Sequence, residues 1–140
     1  MKSKAEKVFE SMMEKDELSK WLGIKPLLLK EGECHLQMKV RKEMLNGFDI
    51  LHGGVAFALA DSALAFASNS YGRVSPLING SMVYTQSAKE GDLLRAEAKV
   101  FSLSHRKADI DVNIYCNDEK KAFYYMRGTV YRSSQKHSLE

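Results

Sequence analysis

The stretch MLNGFDILHGGVAFALADSALAFASNSYG, residues 44–72, joins a polar, glycine-marked approach to an almost wholly apolar helix. From Gly53 to Ala67 one side chain ionises, Asp61, set among Val55, Phe57, Leu59, Leu64, Phe66 and six alanines. A helix that is apolar on every side is expected to be buried. A lone carboxylate there costs on the order of several kcal/mol of desolvation unless it is partnered or used. Asp61 is therefore the first candidate for chemistry.

Working outward, residues 3–22 place Val8, Phe9, Met12, Met13, Leu18, Trp21 and Leu22 near helical spacing among charges, which predicts one amphipathic helix ended by Gly23 and Pro26. From about Glu33 the period becomes two: Cys34, Leu36, Met38 and Val40 alternate with polar residues as in a half-buried strand. Beyond the central helix, residues 79–87 read as extended. Leu94, Ala96, Ala98 and Val100, then Ala108, Ile110, Val112, Ile114 and Cys116, alternate strictly with polar neighbours, and residues 117–120, NDEK, form a hairpin turn before a last strand over about 121–132. The expected order is helix, strand, long helix, four strands. One antiparallel sheet with one apolar face, plus one helix apolar all round, is solved by wrapping the sheet around the helix. The expected class is α+β, in one domain over residues 1–140 with a core over about 25–132. The polar run Ser133–Glu140 is expected to fray.

The chain has 140 residues, 44% apolar and 28% charged, which suits a single ordinary globular domain. Its longest apolar stretch is about 15 residues and contains Asp61, short of the ~20 needed to cross a bilayer. The N-terminus MKSKAEKVFESMMEK has no apolar core of a secretory signal, so a cytoplasmic location is expected. Cys34 and Cys116 sit in apolar alternations and read as reduced core residues. The net charge of +3 comes from 21 Lys and Arg against 18 Asp and Glu spread along the chain, too even for a nucleic-acid surface but compatible with a small polyanionic ligand.

Asn46-Gly47, four residues, His52-Gly53-Gly54, six residues, then Asp61, with Phe57, Leu59-Ala60 and Asn69-Ser70 around them, resemble the phenylacetic acid degradation thioesterase family, a branch of the hotdog thioesterases. The similarity extends over about residues 25–132. It implies a hotdog fold and an acyl-CoA thioesterase that uses water as its only cosubstrate, no cofactor and no metal. Aryl-acetyl or medium-size acyl groups are the expected substrates. The implied assembly is a homodimer with interfacial sites, or a dimer of dimers. Two rivals remain: a hotdog acyl-CoA hydratase or dehydratase, and a non-catalytic acyl-CoA binding module. The stretch Tyr84–Gly91, YTQSAKEG, departs from the family pattern, in which many relatives place a proline near the strand end.

Thioester hydrolysis develops negative charge on the carbonyl oxygen, and the first N–H groups of a helix are unpaired donors at the positive end of its dipole. Gly53 and Gly54 supply such donors and let a carbonyl approach closely, or they merely open a tight helix start. Asp61 is the nucleophile on the thioester carbon or the base that activates water; the bland alternative is an aspartate bonded to backbone or to Ser62. Asp61 lies eight residues after Gly53, about 12 Å along one helix. If both act on one carbonyl, they come from two subunits with antiparallel central helices. In the resembled family, residues such as His52 and Asn46 orient the carbonyl or hold the loop. A metal held by His52 and Asp61 is disfavoured, since one helix separates them by roughly 13 Å. Arg106 and Lys107, in the run Ser104–Lys107, either meet coenzyme A phosphates or form a solvated turn. Phe48, Ile50, Leu51, Phe57 and Met82 either line an acyl pocket or belong to the core.

Overall fold

The period-two segments pair into one antiparallel sheet. The computed structural model describes residues 1–139. Its strands are β1 (Lys25–Lys30), β2 (Glu33–Lys39), β3 (Leu77–Tyr84), β4 (Leu93–Leu103), β5 (Lys107–Cys116) and β6 (Tyr124–Tyr131). They lie in the order β1-β2-β4-β5-β6-β3, so β1 and β3 are the edges. The inward residues, among them Leu36, Met38, Leu94, Ile110, Val112, Ile114 and Met126, are buried. They close on the central helix α3 (Gly53–Asn69) through Ala56, Leu59, Ala60, Ala63, Leu64 and Ala67, none of which is exposed. Small alanines let the curved sheet approach the helix axis. Gly128 on β6 does the same, since a Cβ there would stand 2.6 Å from Leu64 Cδ1 and 3.0 Å from Leu77 Cδ1. The hotdog arrangement is realised, as α+β with one helix inside one sheet.

Three expectations are corrected. The chain has a sixth strand: KPLLLK, lacking alternation and holding Pro26, reads as the end of a helix but pairs as β1. Pro26 is tolerated there because an edge strand need not donate on both sides. The N-terminal helix is two, α1 (Lys4–Met13) and α2 (Glu17–Leu22), because Asp16 accepts from Ser19 N–H at 2.9 Å and restarts the helix as its N-cap. The tail does not fray over residues 133–138: Val74 N–H donates to Gln135 O at 2.8 Å and His137 N–H to Gly72 O at 2.9 Å. Glu140 lies outside the described residues.

α3 also departs from the expected full burial. Gly54, Phe57, Ala58, Asp61 and Ala65 form a stripe, spaced by three and four residues, that the chain leaves half-buried or exposed. α1 covers the helix further along, where the Phe9 and Phe66 rings meet edge to face at 4.7 Å. Apolar composition all round a helix announces burial, yet the chain leaves this stripe partly uncovered. Cys34 and Cys116 are free thiols in the core, and burial pushes both up to about 12. Among the described residues no helix is long and apolar enough to cross a membrane.

Candidate active site

The loop before α3 is built by its own polar groups. Asn46 Oδ1 accepts from Phe48 N–H at 2.8 Å and Ile50 N–H at 3.4 Å, while Asn46 N–H donates to Ile50 O at 2.8 Å. Asp49 takes the left-handed conformation at φ 59° to close this turn. His52 and Leu51 tie the loop to its surroundings through Met44 O and Ala88 O, both at 2.8 Å. His52 then caps α3: its Nδ1 accepts from Gly54 N–H at 2.8 Å. That bond assigns the neutral ring as the Nε2–H tautomer, leaving one ring donor.

The two glycines therefore differ. Gly54 N–H is occupied by His52, and a Cβ at residue 54 would lie 3.0 Å from His52 Nδ1. Gly53 N–H meets no acceptor among the described residues. Tyr84 lies over Gly53, donating its hydroxyl to Gly53 O at 3.1 Å, with its ring 3.2 Å from where a Cβ would stand. Tyr84 was not among the residues the sequence pointed to; only the unusual stretch that it opens gave a signal.

Asp61 sits two turns along the open stripe of α3. Its carboxylate has no hydrogen bond or ion pair among the described residues, and Ser62 bonds instead to Ser19, with 2.8 Å between the hydroxyl oxygens. Burial holds the Asp61 carboxyl above its ordinary range, and the negative charge of Asp16 adds to the shift. Asp61 opens on a largely apolar cavity of about 240 Å³ lined by Leu64, Pro76, Leu77 and Val130. The cavity ends at Asn69 and His137, where His137 Nε2 lies 2.8 Å from Asn69 Oδ1. A larger cleft of about 740 Å³ between α1 and the tail is lined by Lys7, Glu10, Lys15 and Lys136 and holds none of the candidate residues.

The other candidates are scattered. Leu51 is a core residue at 4% exposure, and Phe48 is 83% exposed on the loop. Phe57 is half-buried on the open stripe, near Gly80 of β3. Arg106 and Lys107 are exposed at the β4–β5 turn, which belongs to the C-terminal end of α3 rather than to the Gly53 end. Arg106 Nη1 donates to Arg132 O at 3.4 Å, and Arg132 lies over the Tyr71 ring at 5.5 Å. Arg73 and Arg132 donate to His105 O and Ser104 O in the same cluster. Among the described residues none of these three arginines has a carboxylate partner, and sequence separation hides the grouping. No three His, Cys, Asp or Glu side chains among the described residues converge as a metal site.

Comparison with known proteins bears on this arrangement. Residues 48–123 match the thioesterase superfamily. The chain is 38% identical over 130 residues to a protein of Archaeoglobus fulgidus named as an esterase, covering 93% of this chain and 84% of that one. It is 33% identical to the acyl-coenzyme A thioesterase PaaI of Escherichia coli, covering 94% of each. The solved structure of that PaaI superposes with a TM-score of 0.91 at 32% identity, covering 95% of this chain and 96% of that one. A sheet wrapped on one alanine-rich helix, a glycine-marked start to that helix and a near full-length match agree: the chain belongs to the thioesterase superfamily, as a hotdog-fold thioesterase of the phenylacetic acid degradation (PaaI-like) branch.

Proposed function

We propose that the protein hydrolyses acyl-CoA thioesters to free acid and CoA, with aryl-acetyl or medium-size acyl groups as substrates and its sites at a two-fold dimer interface. The observation that carries this reading is Asp61: a half-buried carboxylate, unpartnered among the described residues, on an open apolar stripe beside a cavity of about 240 Å³. Such a group is held for use rather than for stability.

In this reading the thioester carbonyl oxygen accepts from Gly53 N–H at the positive end of α3, with His52 Nε2–H as a second donor. As the tetrahedral intermediate forms, these donors meet charge that the ground state lacks. Asp61 of the facing subunit either adds to the carbonyl carbon, giving an anhydride that water opens, or removes a proton from the attacking water. Either way the C–S bond breaks and CoA leaves as a thiolate that takes a proton. Asn46 acts by holding the loop. Phe57 lies on the half-open stripe and can face the acyl group, whereas Leu51, buried in the core, supports the loop from beneath. Arg106 and Lys107, with Arg73 and Arg132 beside them, suit the phosphates of CoA.

The dimer is supported by two features. Gly53 and Asp61 stand about 12 Å apart along one helix, too far for one carbonyl. The edge strand β3 is unpaired on its outer side and presents exposed Ile78, Val83 and Tyr84. The test is thiol release from a panel of aryl-acetyl and fatty acyl-CoA thioesters. Turnover that disappears in Asp61→Asn is expected; no turnover of any thioester by folded wild-type dimer overturns the reading.

A further inference from the structure

The cavity beside Asp61 runs along α3 toward the C-terminal end of the helix. Leu64 and Ala65 lie along it, Pro76, Leu77 and Val130 form its apolar side, and Asn69 and His137 stand at its far end. Asp61 and Asn69 are eight residues apart, about 12 Å along the helix. Its volume of about 240 Å³ exceeds the roughly 150 Å³ that suffices for benzene in a dry apolar cavity. The space therefore suits one ring and its linker.

A polar network fixes the far end. Asn69, 3% exposed, donates through Nδ2 to Ala65 O at 2.8 Å and to Ser75 O at 3.1 Å, and its Oδ1 accepts from Ser75 N–H at 2.9 Å. These bonds assign the amide oxygen, so His137 Nε2, 2.8 Å from that oxygen, is the donor. The tail that carries His137 is tied down along its length. Ser133 N–H donates to Val74 O at 3.1 Å, His137 N–H to Gly72 O at 2.9 Å and the Ser11 hydroxyl to Ser138 O at 3.2 Å. Behind His137 lies the cleft of about 740 Å³ between α1 and the tail, and Met12, Val74 and His137 line both spaces. These three residues are the partition between an apolar pocket and a wide polar cleft.

We propose that His137 is a specificity-determining residue: held by Asn69, it closes the far end of the acyl pocket and stops the acyl group short of the cleft behind it. That role rests on Asp61 being the reacting carboxylate. A thioester carbonyl brought to Asp61 finds in this cavity the apolar space that adjoins the carboxylate. Burial lowers the His137 pKa, so at neutral pH the ring that meets the acyl terminus is uncharged and no ion has to be desolvated there.

The experiment is kcat/KM, read by thiol release, for the wild-type dimer, His137→Ala, His137→Ser and His137→Gln with phenylacetyl-CoA and dodecanoyl-CoA. Asn69 Oδ1 keeps the Ser75 N–H in every variant, so no buried acceptor is orphaned, and either small variant serves if the other folds poorly. Wild type should favour phenylacetyl-CoA. His137→Ala and His137→Ser join pocket to cleft and should raise the ratio of dodecanoyl-CoA to phenylacetyl-CoA turnover by about ten-fold or more. His137→Gln, which retains a long side chain and an N–H donor for Asn69, should keep the wild-type ratio. A purely structural role would lower both substrates together and leave the ratio in place. That result overturns the proposal, as does a wild type that turns over dodecanoyl-CoA as well as phenylacetyl-CoA. Asp61→Asn separates the two levels: if it keeps full activity, the assignment of Asp61 fails, whereas if it is inactive and the ratio ignores His137, this inference alone fails.

Discussion

The two halves of the candidate site are finished to different degrees within one chain. At the start of α3, Asn46 closes its loop on Phe48 and Ile50, and His52 caps the helix through Gly54. Most of the bonds that hold the donor Gly53 lie within a dozen residues of it, and Tyr84 and Ala88 add one each from farther along the chain. Two turns along, Asp61 is bare toward a cavity, and its surroundings come from α1, the α1–α2 break, β3, β6 and the tail. Preorganised donors cost nothing further when charge develops, whereas a reactive carboxylate must be held at an energetic disadvantage. One half is a local motif; the other exists only in the assembled molecule.

The contrast is broken most severely at Asp61. Asp61→Asn should lower kcat by about 100-fold or more while the dimer persists, read by thiol release and sedimentation. The same variant should be more stable than wild type at neutral pH. A carboxyl whose folded pKa is raised binds more protons folded than unfolded, so wild-type stability falls as pH rises through the window from its ordinary 3.8 to the raised value. The advantage of Asp61→Asn in Tm should therefore shrink as pH drops below that window. An equal advantage at all pH values would show that Asp61 does not carry this strain.

Next in size is complementation across the interface. Gly53 is the first helical residue, where proline suits the backbone and removes the free N–H; its ring also displaces the half-exposed Tyr84 side chain, which stands 3.2 Å from a Cβ there, so Gly53→Pro should disable the donor end and keep α3. Mixed with Asp61→Ala, it should restore activity in about a quarter of all sites, since one of two sites in each mixed dimer is intact. Persistent inactivity in well-folded mixed dimers would place each site within one chain.

Asn46→Ala tests the self-contained half. Losing two backbone partners should cost about 1–2 kcal/mol in denaturant unfolding and lower kcat while leaving the acid limb of the kcat/KM pH profile where it was. A shifted limb would mean that the loop and Asp61 are not separable. The smallest effect is expected at the other end of α3, where neutralising Arg106 and Lys107 should raise KM for CoA thioesters several-fold at low salt and less at high salt. An N-acetylcysteamine thioester, which has no phosphate, should be indifferent. Equal effects on both substrates would return these residues to a solvated turn.

The strands β2, β4, β5 and β6 were legible because one wet and one dry face force a period of two. β1 was not, since an edge strand is freed from that alternation and Pro26 imitates a helix stop. The loop residues were legible for a related reason: Asn46-Gly47 and His52-Gly53-Gly54 act over short range, so composition and spacing carry their geometry. Gly54 was overread as a free donor, because only coordinates show His52 turning back onto it. Tyr84, Arg73 and Arg132 gave little signal, since each acts on residues far away in sequence.

By itself the sequence determined that one apolar helix carrying a single acid would lie inside one antiparallel sheet, since alternation and burial of apolar area admit few other solutions. It also determined the glycine-marked donor at the start of that helix, a matter of neighbours along the chain. Which face of α3 stays uncovered, which groups surround Asp61, and that a buried serine pair ties α2 to α3 were decided only in the tertiary structure. Hydrogen bonds and electrostatic fields depend on distance in space, and residues 12, 61, 77 and 137 come to line one cavity only after the chain has folded.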